Sequence, residues 1–230
     1  MSWITARRRR PVAGYAVVLL GLLAIGGGYA AVTASNSPAS ASSPAANSAQ
    51  IDQGRQIFVQ NCSSCHGLDA QGTSTGPSLI GVGSAAVYFQ VSTGRMPGKD
   101  ISAEMDRKPP VLNERETRAV GAYIQSLGGG PTIPSPAQVS TVGADAGLGQ
   151  QLFTENCSQC HNFVGAGGAL TYGKYAPALT ASTPTQIYTA MLTGPEAMPV
   201  FNDTTITPSE KRDIIAYITQ TRSEPNPGGF

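Results

Sequence analysis

Cys62-Ser63-Ser64-Cys65-His66 and Cys157-Ser158-Gln159-Cys160-His161 between them hold all four cysteines and both histidines of a 230-residue chain. Outward from these pentapeptides the surroundings match residue by residue. Gly54-x-x-x-Phe58 leads into Asn61-Cys62 as Gly149-x-x-x-Phe153 leads into Asn156-Cys157, at an offset of 95. Pro77-Ser78-Leu79 answers Pro177-Ala178-Leu179, and Thr93-Gly94 answers Thr193-Gly194, at 100, so the second copy has five extra residues after its pentapeptide. Met96-Pro97 answers Met198-Pro199 at 102, and Ala122-Tyr123-Ile124 answers Ala216-Tyr217-Ile218 at 94, which leaves an extra loop, 99–111, in the first copy. Matching anchors with unequal loops indicate a tandem duplication, because loops tolerate insertion.

Each half reads as helical. Apolar residues recur at helical spacing over 51–61 and 148–156. The last helix of the first half opens at Asn113 with Glu116 three residues on; that of the second opens at Thr207, with Pro208 next and Glu210 three on. Both are capping boxes, in which the cap side chain and the acid satisfy each other's backbone N–H groups. Gly54 with Tyr123, and Gly149 with Tyr217, suit a close crossing of the first and last helices of each half. The alternative reading makes these glycines simple helix-start residues.

C-x-x-C-H is the attachment signature of c-type haem. Two thiols on one helical turn can form thioethers, and the adjacent histidine then faces iron. A zinc site built from all four cysteines, spanning both halves, would leave both histidines unexplained. The pattern therefore predicts two covalently bound haem c groups, with His66 and His161 as proximal iron ligands. Met96 and Met198 are the candidates for the distal ligands, because each precedes proline, follows Thr-Gly and occupies the same place in the repeat. Core packing is the alternative for both. Met105 falls in the unmatched loop, and Met191 on a helix over 185–192 reads as core. His/Met ligation closes both axial positions and raises the reduction potential, which favours electron transfer over substrate chemistry. Pro77 and Pro177 lie where a backbone carbonyl can accept the histidine Nδ1–H. Tyr88, Phe89, Tyr172, Tyr175 and Tyr188 either line the haem crevices or fill the core.

The totals sharpen what is excluded. No histidine remains for a catalytic base or a zinc triad. The net charge is +1, and Arg7, Arg8, Arg9 and Arg10 supply +4 of it, leaving −3 for the rest; such a chain lacks the basic footprint of a nucleic-acid binder. After those arginines comes an uncharged, apolar stretch over 11–32, long enough for the ~20 residues of a membrane-spanning helix. The arginines predict a cytoplasmic N-terminus, with everything after the helix on the outer face of the cell membrane. The competing reading is a cleaved signal peptide, with Val32-Thr33-Ala34 before Ser35 as the cleavage site. The predicted order is a basic N-terminus and anchor over 1–34, a Ser/Ala/Pro tether over 35–49, a haem domain over 50–127, a Gly/Pro-rich linker of similar character over 128–147, a second haem domain over 148–222, and a tail over 223–230.

These residues together resemble the dihaem cytochrome c subunit (cytochrome cc) of the actinobacterial cytochrome bc complex. The most specific stretches are Gly76-Pro-Ser-Leu-Ile-Gly-Val-Gly, Ala86-Val-Tyr-Phe-Gln-Val-Ser-Thr-Gly-Arg-Met-Pro, Gly128-Gly-Gly-Pro-Thr, Gly173-Lys-Tyr-Ala-Pro and Met191-Leu-Thr-Gly-Pro-Glu-Ala-Met-Pro. The resemblance implies an all-α fold: a tandem pair of class I cytochrome c domains behind an N-terminal transmembrane helix. It also implies a second transmembrane helix following the Pro-Gly-Gly-Phe region. The implied role is that of an electron-transfer subunit of a quinol–cytochrome c oxidoreductase, with no substrate-transforming site of its own. Electrons would come from the Rieske iron–sulfur protein of a menaquinol-oxidising complex to the first haem (Cys62, Cys65, His66, Met96). From the second (Cys157, Cys160, His161, Met198) they would reach the copper centre of cytochrome c oxidase. The implied partners are the cytochrome b subunit, the Rieske subunit, oxidase subunits and the membrane, with no nucleic acid. A cytochrome subunit of another dehydrogenase, or a membrane-tethered general carrier, is the alternative. A dihaem peroxidase would need an open iron site and further histidines.

Overall fold

The computed structural model describes residues 11–36, 48–102 and 104–223. The basic N-terminus, most of the expected tether and nearly all of the tail lie outside the described residues. Helix α1 (Pro11–Asn36) belongs to one compact unit, and everything from α2 onward to another. The side chains of α1 over 14–27 are almost all exposed, Val17, Leu20 and Leu23 among them. The expected membrane span is met only in part: the helix forms, but among the described residues no helix is long and apolar enough to cross a membrane.

The larger unit is built twice on one plan. The first half comprises α2 (Ser48–Asn61), α3 (Ser63–His66), α4 (Gly83–Ser92) and α5 (Glu114–Gly128). The second comprises α7 (Ala146–Asn156), α8 (Ser158–His161), α9 (Pro184–Thr193) and α10 (Pro208–Ser223), with the one-turn α6 (Pro136–Val139) between the halves. In each half the first helix crosses the last, α2 on α5 and α7 on α10. Glycine makes this possible. A Cβ on Gly54 would lie 1.9 Å from the Ala119 carbonyl oxygen, and one on Gly149 would lie 1.9 Å from that of Asp213. The backbone each glycine meets is thus one turn before the tyrosine expected from the sequence. The tyrosines serve the same crossing differently: Phe58–Tyr123 and Phe153–Tyr217 both stack at 5.4 Å and 54°.

Both capping boxes form. Asn113 N donates to Glu116 Oε2 at 2.9 Å while Glu116 N donates to Asn113 Oδ1 at 3.0 Å. Thr207 N donates to Glu210 Oε2 at 2.7 Å and Glu210 N to Thr207 Oγ1 at 3.3 Å. With their ends fixed, α5 and α10 turn apolar faces inward. Phe58, Val87, Val91, Val120 and Ile124 form one core, and Phe153, Ile187, Met191, Ile214 and Ile218 occupy the same places in the other. Met191 is a core residue, as its helical position predicts, and Tyr188 is fully buried beside it.

Two connections depart from the expectation. The 128–147 stretch shares the composition of a tether but is bonded along its length. Ala85 N donates to Pro131 O at 3.0 Å, buried Ile133 donates its N–H to Ser84 Oγ at 3.2 Å, and Arg212 donates to Ser140 O and Val142 O, both at 2.9 Å. Backbone carbonyls of a Pro-rich segment, having no partners of their own, are taken by the helices they run over. The extra residues of the second half form a small antiparallel ladder, β1 (Gly168–Ala169) with β2 (Tyr175–Ala176), an addition to the expected all-α fold.

The halves dock through equivalent helices, α4 against α9. Gln186 Nε2 reaches Ser92 O at 3.2 Å and Ser92 Oγ at 3.1 Å. The extra loop of the first half closes the seam: Arg107 donates to Ala181 O at 2.7 Å and Ser182 Oγ at 3.2 Å, Tyr175 OH donates to Asp106 Oδ1 at 3.0 Å, and Met105 N donates to Glu196 Oε1 at 3.0 Å.

Candidate haem sites

Each pentapeptide is a single helical turn set at the C-terminal end of the crossing helix. Cys62 N bonds back to Phe58 O at 2.8 Å and His66 N to Cys62 O at 3.0 Å; Cys157 N bonds to Phe153 O at 2.8 Å and His161 N to Cys157 O at 2.9 Å. The chain then loops back onto the histidine: His66 O accepts from Gly72 N at 2.8 Å, and His161 O from Gly167 N at 2.9 Å. These loops bring the two prolines to the rings. His66 Nδ1–H donates to Pro77 O at 2.8 Å, and His161 Nδ1–H to Pro177 O at 3.0 Å. The bond fixes the tautomer, leaving Nε2 as the unprotonated nitrogen, the form a metal ligand needs. Burial acts in the same direction at His161, where it lowers the pKa against the opposing effect of the Pro177 bond.

Burial, reinforced by the neighbouring cysteine of each pair, pushes the Cys62 and Cys157 thiols up to about 11. All four cysteines are free, Cys65 and Cys160 exposed and their partners half-buried. Among the described residues no group of three or more His, Cys, Asp or Glu is placed to hold a metal ion, so the four cysteines do not converge on one zinc site.

In the second half Cys157, Cys160, His161 and Met198 line one cavity of about 280 Å³, walled by apolar side chains of the core. In the first half Cys62 and Met96 border the same core cluster, with His66 buried at the end of α3. Paired thiols, a histidine fixed for ligation through Nε2, a methionine and an apolar wall are what a covalently held haem requires, and the residues fit that group. The aromatic candidates divide. Phe89 and Tyr175 line the second cavity, Tyr88 and Tyr188 are buried, and Tyr172 is fully exposed.

Comparison with known proteins agrees with this geometry. Residues 51–128 match the cytochrome c family model, and residues 144–218 match that of cytochrome c oxidase, cbb3-type, subunit III. The chain is 49% identical over 220 residues to the cytochrome bc1 complex cytochrome c subunit of Mycobacterium leprae, covering 93% of this chain and 76% of that protein. It is 43% identical over 244 residues to the subunit of the same name from Corynebacterium diphtheriae, covering 99% and 86%. The chain belongs to the family of cytochrome bc1 complex cytochrome c subunits. A narrower likeness, 38% over 96 residues, is to the cbb3-type cytochrome c oxidase subunit CcoP of Rhodobacter capsulatus, covering 37% of this chain and 32% of that protein. As a cytochrome bc1 complex cytochrome c subunit the protein has an electron-transfer role, carried by cytochrome c domains that attach haem c through paired cysteines.

Several residues around the sites were not among the sequence candidates. Lys108 Nζ donates to Arg95 O at 3.2 Å, to Pro97 O at 2.6 Å and to Gly94 O, clamping the loop that carries Met96. Arg95, Arg107 and Glu196 stand at the seam beside the second cavity. Arg107 and Lys108 lie in the extra loop, which is inserted directly after a ligand candidate, while Arg95 and Glu196 lie outside it.

Proposed function

We propose that this cytochrome bc1 complex cytochrome c subunit carries two haem c groups, each with His/Met iron ligands, and relays electrons between them. The source is the Rieske iron–sulfur protein of a menaquinol-oxidising cytochrome bc complex, and the recipient is the copper centre of cytochrome c oxidase. The observation that carries this reading is the repetition of one complete donor set, thiol pair, proline-fixed histidine and methionine, in two halves docked on each other. Haem c supplies a one-electron iron couple when attached. The chain's part would be to fix the histidine tautomer through Pro77 and Pro177, offer Met96 and Met198 as the second ligands to iron, and hold the two sites at one separation through the α4–α9 seam. A methionine in the sixth position keeps small ligands away and raises the potential.

The second half matches a model named for an oxidase subunit, which supports setting it toward the oxidase and the first half toward the Rieske protein. We further propose that α1 anchors the chain in the cell membrane with its N-terminus cytoplasmic, the haem domains lying on the outer face. The 35–49 stretch then raises the effective concentration of the haem domains at their partners. The cytochrome b, Rieske and oxidase subunits are the partners this arrangement needs. A mature N-terminus at Ser35 would overturn the anchor.

Met96→Ala and Met198→Ala test the ligation. Each should open one iron to carbon monoxide, lower its potential and remove half of the thioether–iron band at about 695 nm in the oxidised protein. If neither variant binds carbon monoxide, the methionines are core residues and the ligation is wrong.

A further inference from the structure

Side chains crossing the seam between the halves gather around Arg95. This residue immediately precedes Met96, yet it is only 3% exposed and lines the cavity of the other half. Its guanidinium carbon lies 5.0 Å from the centroid of the Phe89 ring, which holds the side chain in place. Its Nε is buried and makes no hydrogen bond. The nearby carboxylate oxygen, Glu196 Oε1, stands 3.6 Å away, beyond hydrogen-bond length, and already accepts from Met105 N at 3.0 Å. Glu196 reaches this place with φ at 57°, in the left-handed region a side-chain-bearing residue seldom adopts. Arg107 stands on the same cavity wall. Burial, and then the Arg95 charge, hold Arg107 below its ordinary pKa. Two like charges thus line one largely apolar cavity together with Glu104 and Glu196, and Arg95 Nε is short of an acceptor. Buried guanidinium groups are accompanied by anions that accept from them. Glu196 gives Arg95 an ion pair but no hydrogen bond, and haem c, with two carboxylates on one edge, would offer the acceptor that Nε lacks.

We propose that the first half completes the haem site of the second: Arg95 and Arg107 are the cationic partners of the propionate carboxylates of the haem attached at Cys157 and Cys160. This inference rests on the haem reading of that cavity. A fixed cation paired with the haem carboxylates would offset their negative charge and favour an added electron, so Arg95 would hold up the potential of the second site. One dipeptide then serves both centres, Met96 the first and Arg95 the second.

The full-length, haem-loaded chain in its purified complex is titrated spectroelectrochemically, with Met198→His marking the couple that belongs to the second half. Arg95→Gln should lower that couple at least tenfold in its reduction equilibrium, about 59 mV for one electron, and leave the other in place. Arg95→Lys should retain most of the potential, and Arg107→Gln, at an exposed side chain, should give a smaller shift of the same couple. The propionate bending modes in the resonance Raman spectrum should move with it. Added inorganic phosphate should change nothing; a phosphate-dependent potential would assign the site to a free anion and overturn the proposal. So would unmoved couples in both Arg→Gln variants, or movement confined to the unmarked couple. If Arg95→Gln does not accumulate, Arg107→Gln decides alone. A wild-type chain with no haem couples at all would instead overturn the haem reading.

Discussion

The loops that carry Met96 and Met198 occupy the same place in the repeat and are held by different means. In the second half the backbone suffices: Met198 N donates to Pro195 O at 3.0 Å, Phe201 N to Met191 O at 2.7 Å, and Gly194 closes α9 in the left-handed conformation. In the first half Met96 N donates to Gln90 O at 2.9 Å, and Lys108 from the inserted loop caps carbonyls on both sides of the methionine. The framework that presents thiols, histidine and proline is almost unchanged between the copies. The divergence is concentrated in the insert, which clamps one methionine loop and walls the cavity of the other half. Duplication preserved the donor set and made the two sites unequal in their surroundings. Unequal surroundings would give two otherwise matched centres different potentials.

The strongest challenge to the shared framework is the helix crossing. Gly54→Ala and Gly149→Ala each drive a Cβ into a carbonyl oxygen 1.9 Å away. Relief requires separating two helices, so each should cost about 3 kcal/mol or more, read as a loss of thermal stability. Similar losses in both variants support equivalent halves; a loss in one only would break the equivalence.

Lys108→Ala sharpens the difference instead. It strips a charge-assisted donor from Gly94, Arg95 and Pro97 carbonyls and should destabilise by about 1–3 kcal/mol. The thioether–iron band of one haem should weaken while that of the other stays, because the second methionine loop has no such clamp. Equal weakening at both would contradict the comparison. The smallest effects are at the caps. Asn113→Ala and Thr207→Ala should each cost about 1 kcal/mol in chemical denaturation, alike in the two halves because both boxes are complete.

Much of this was legible in the sequence because the chemistry depends on spacing. Two pentapeptides, two Met-Pro pairs and two prolines at matched offsets mark the proposed donor sets, and the capping boxes specify where α5 and α10 begin. The glycines marked the crossing, though the backbone they meet is at Ala119 and Asp213, a detail set by helix phase. The 128–147 stretch misled for a physical reason. Its composition is that of a linker stiffened by Pro131, Pro134 and Pro136, but its carbonyls and Ile133 are taken up by Arg212, Ala85 and Ser84, partners distant in the chain. Arg95 and Lys108 were illegible for the same reason. Their roles arise only where the two halves meet or where the insert folds back, and no local pattern records either event.

On the proposed function both pentapeptides hold haem, each as an independent centre. The direct test is the haem-to-polypeptide ratio of the chain by pyridine haemochrome assay, taken together with Cys62→Ala/Cys65→Ala and Cys157→Ala/Cys160→Ala. Two haems per chain are expected in the wild type and one in each double variant. A wild-type ratio of one or none, or a double variant that keeps both haems, would contradict it.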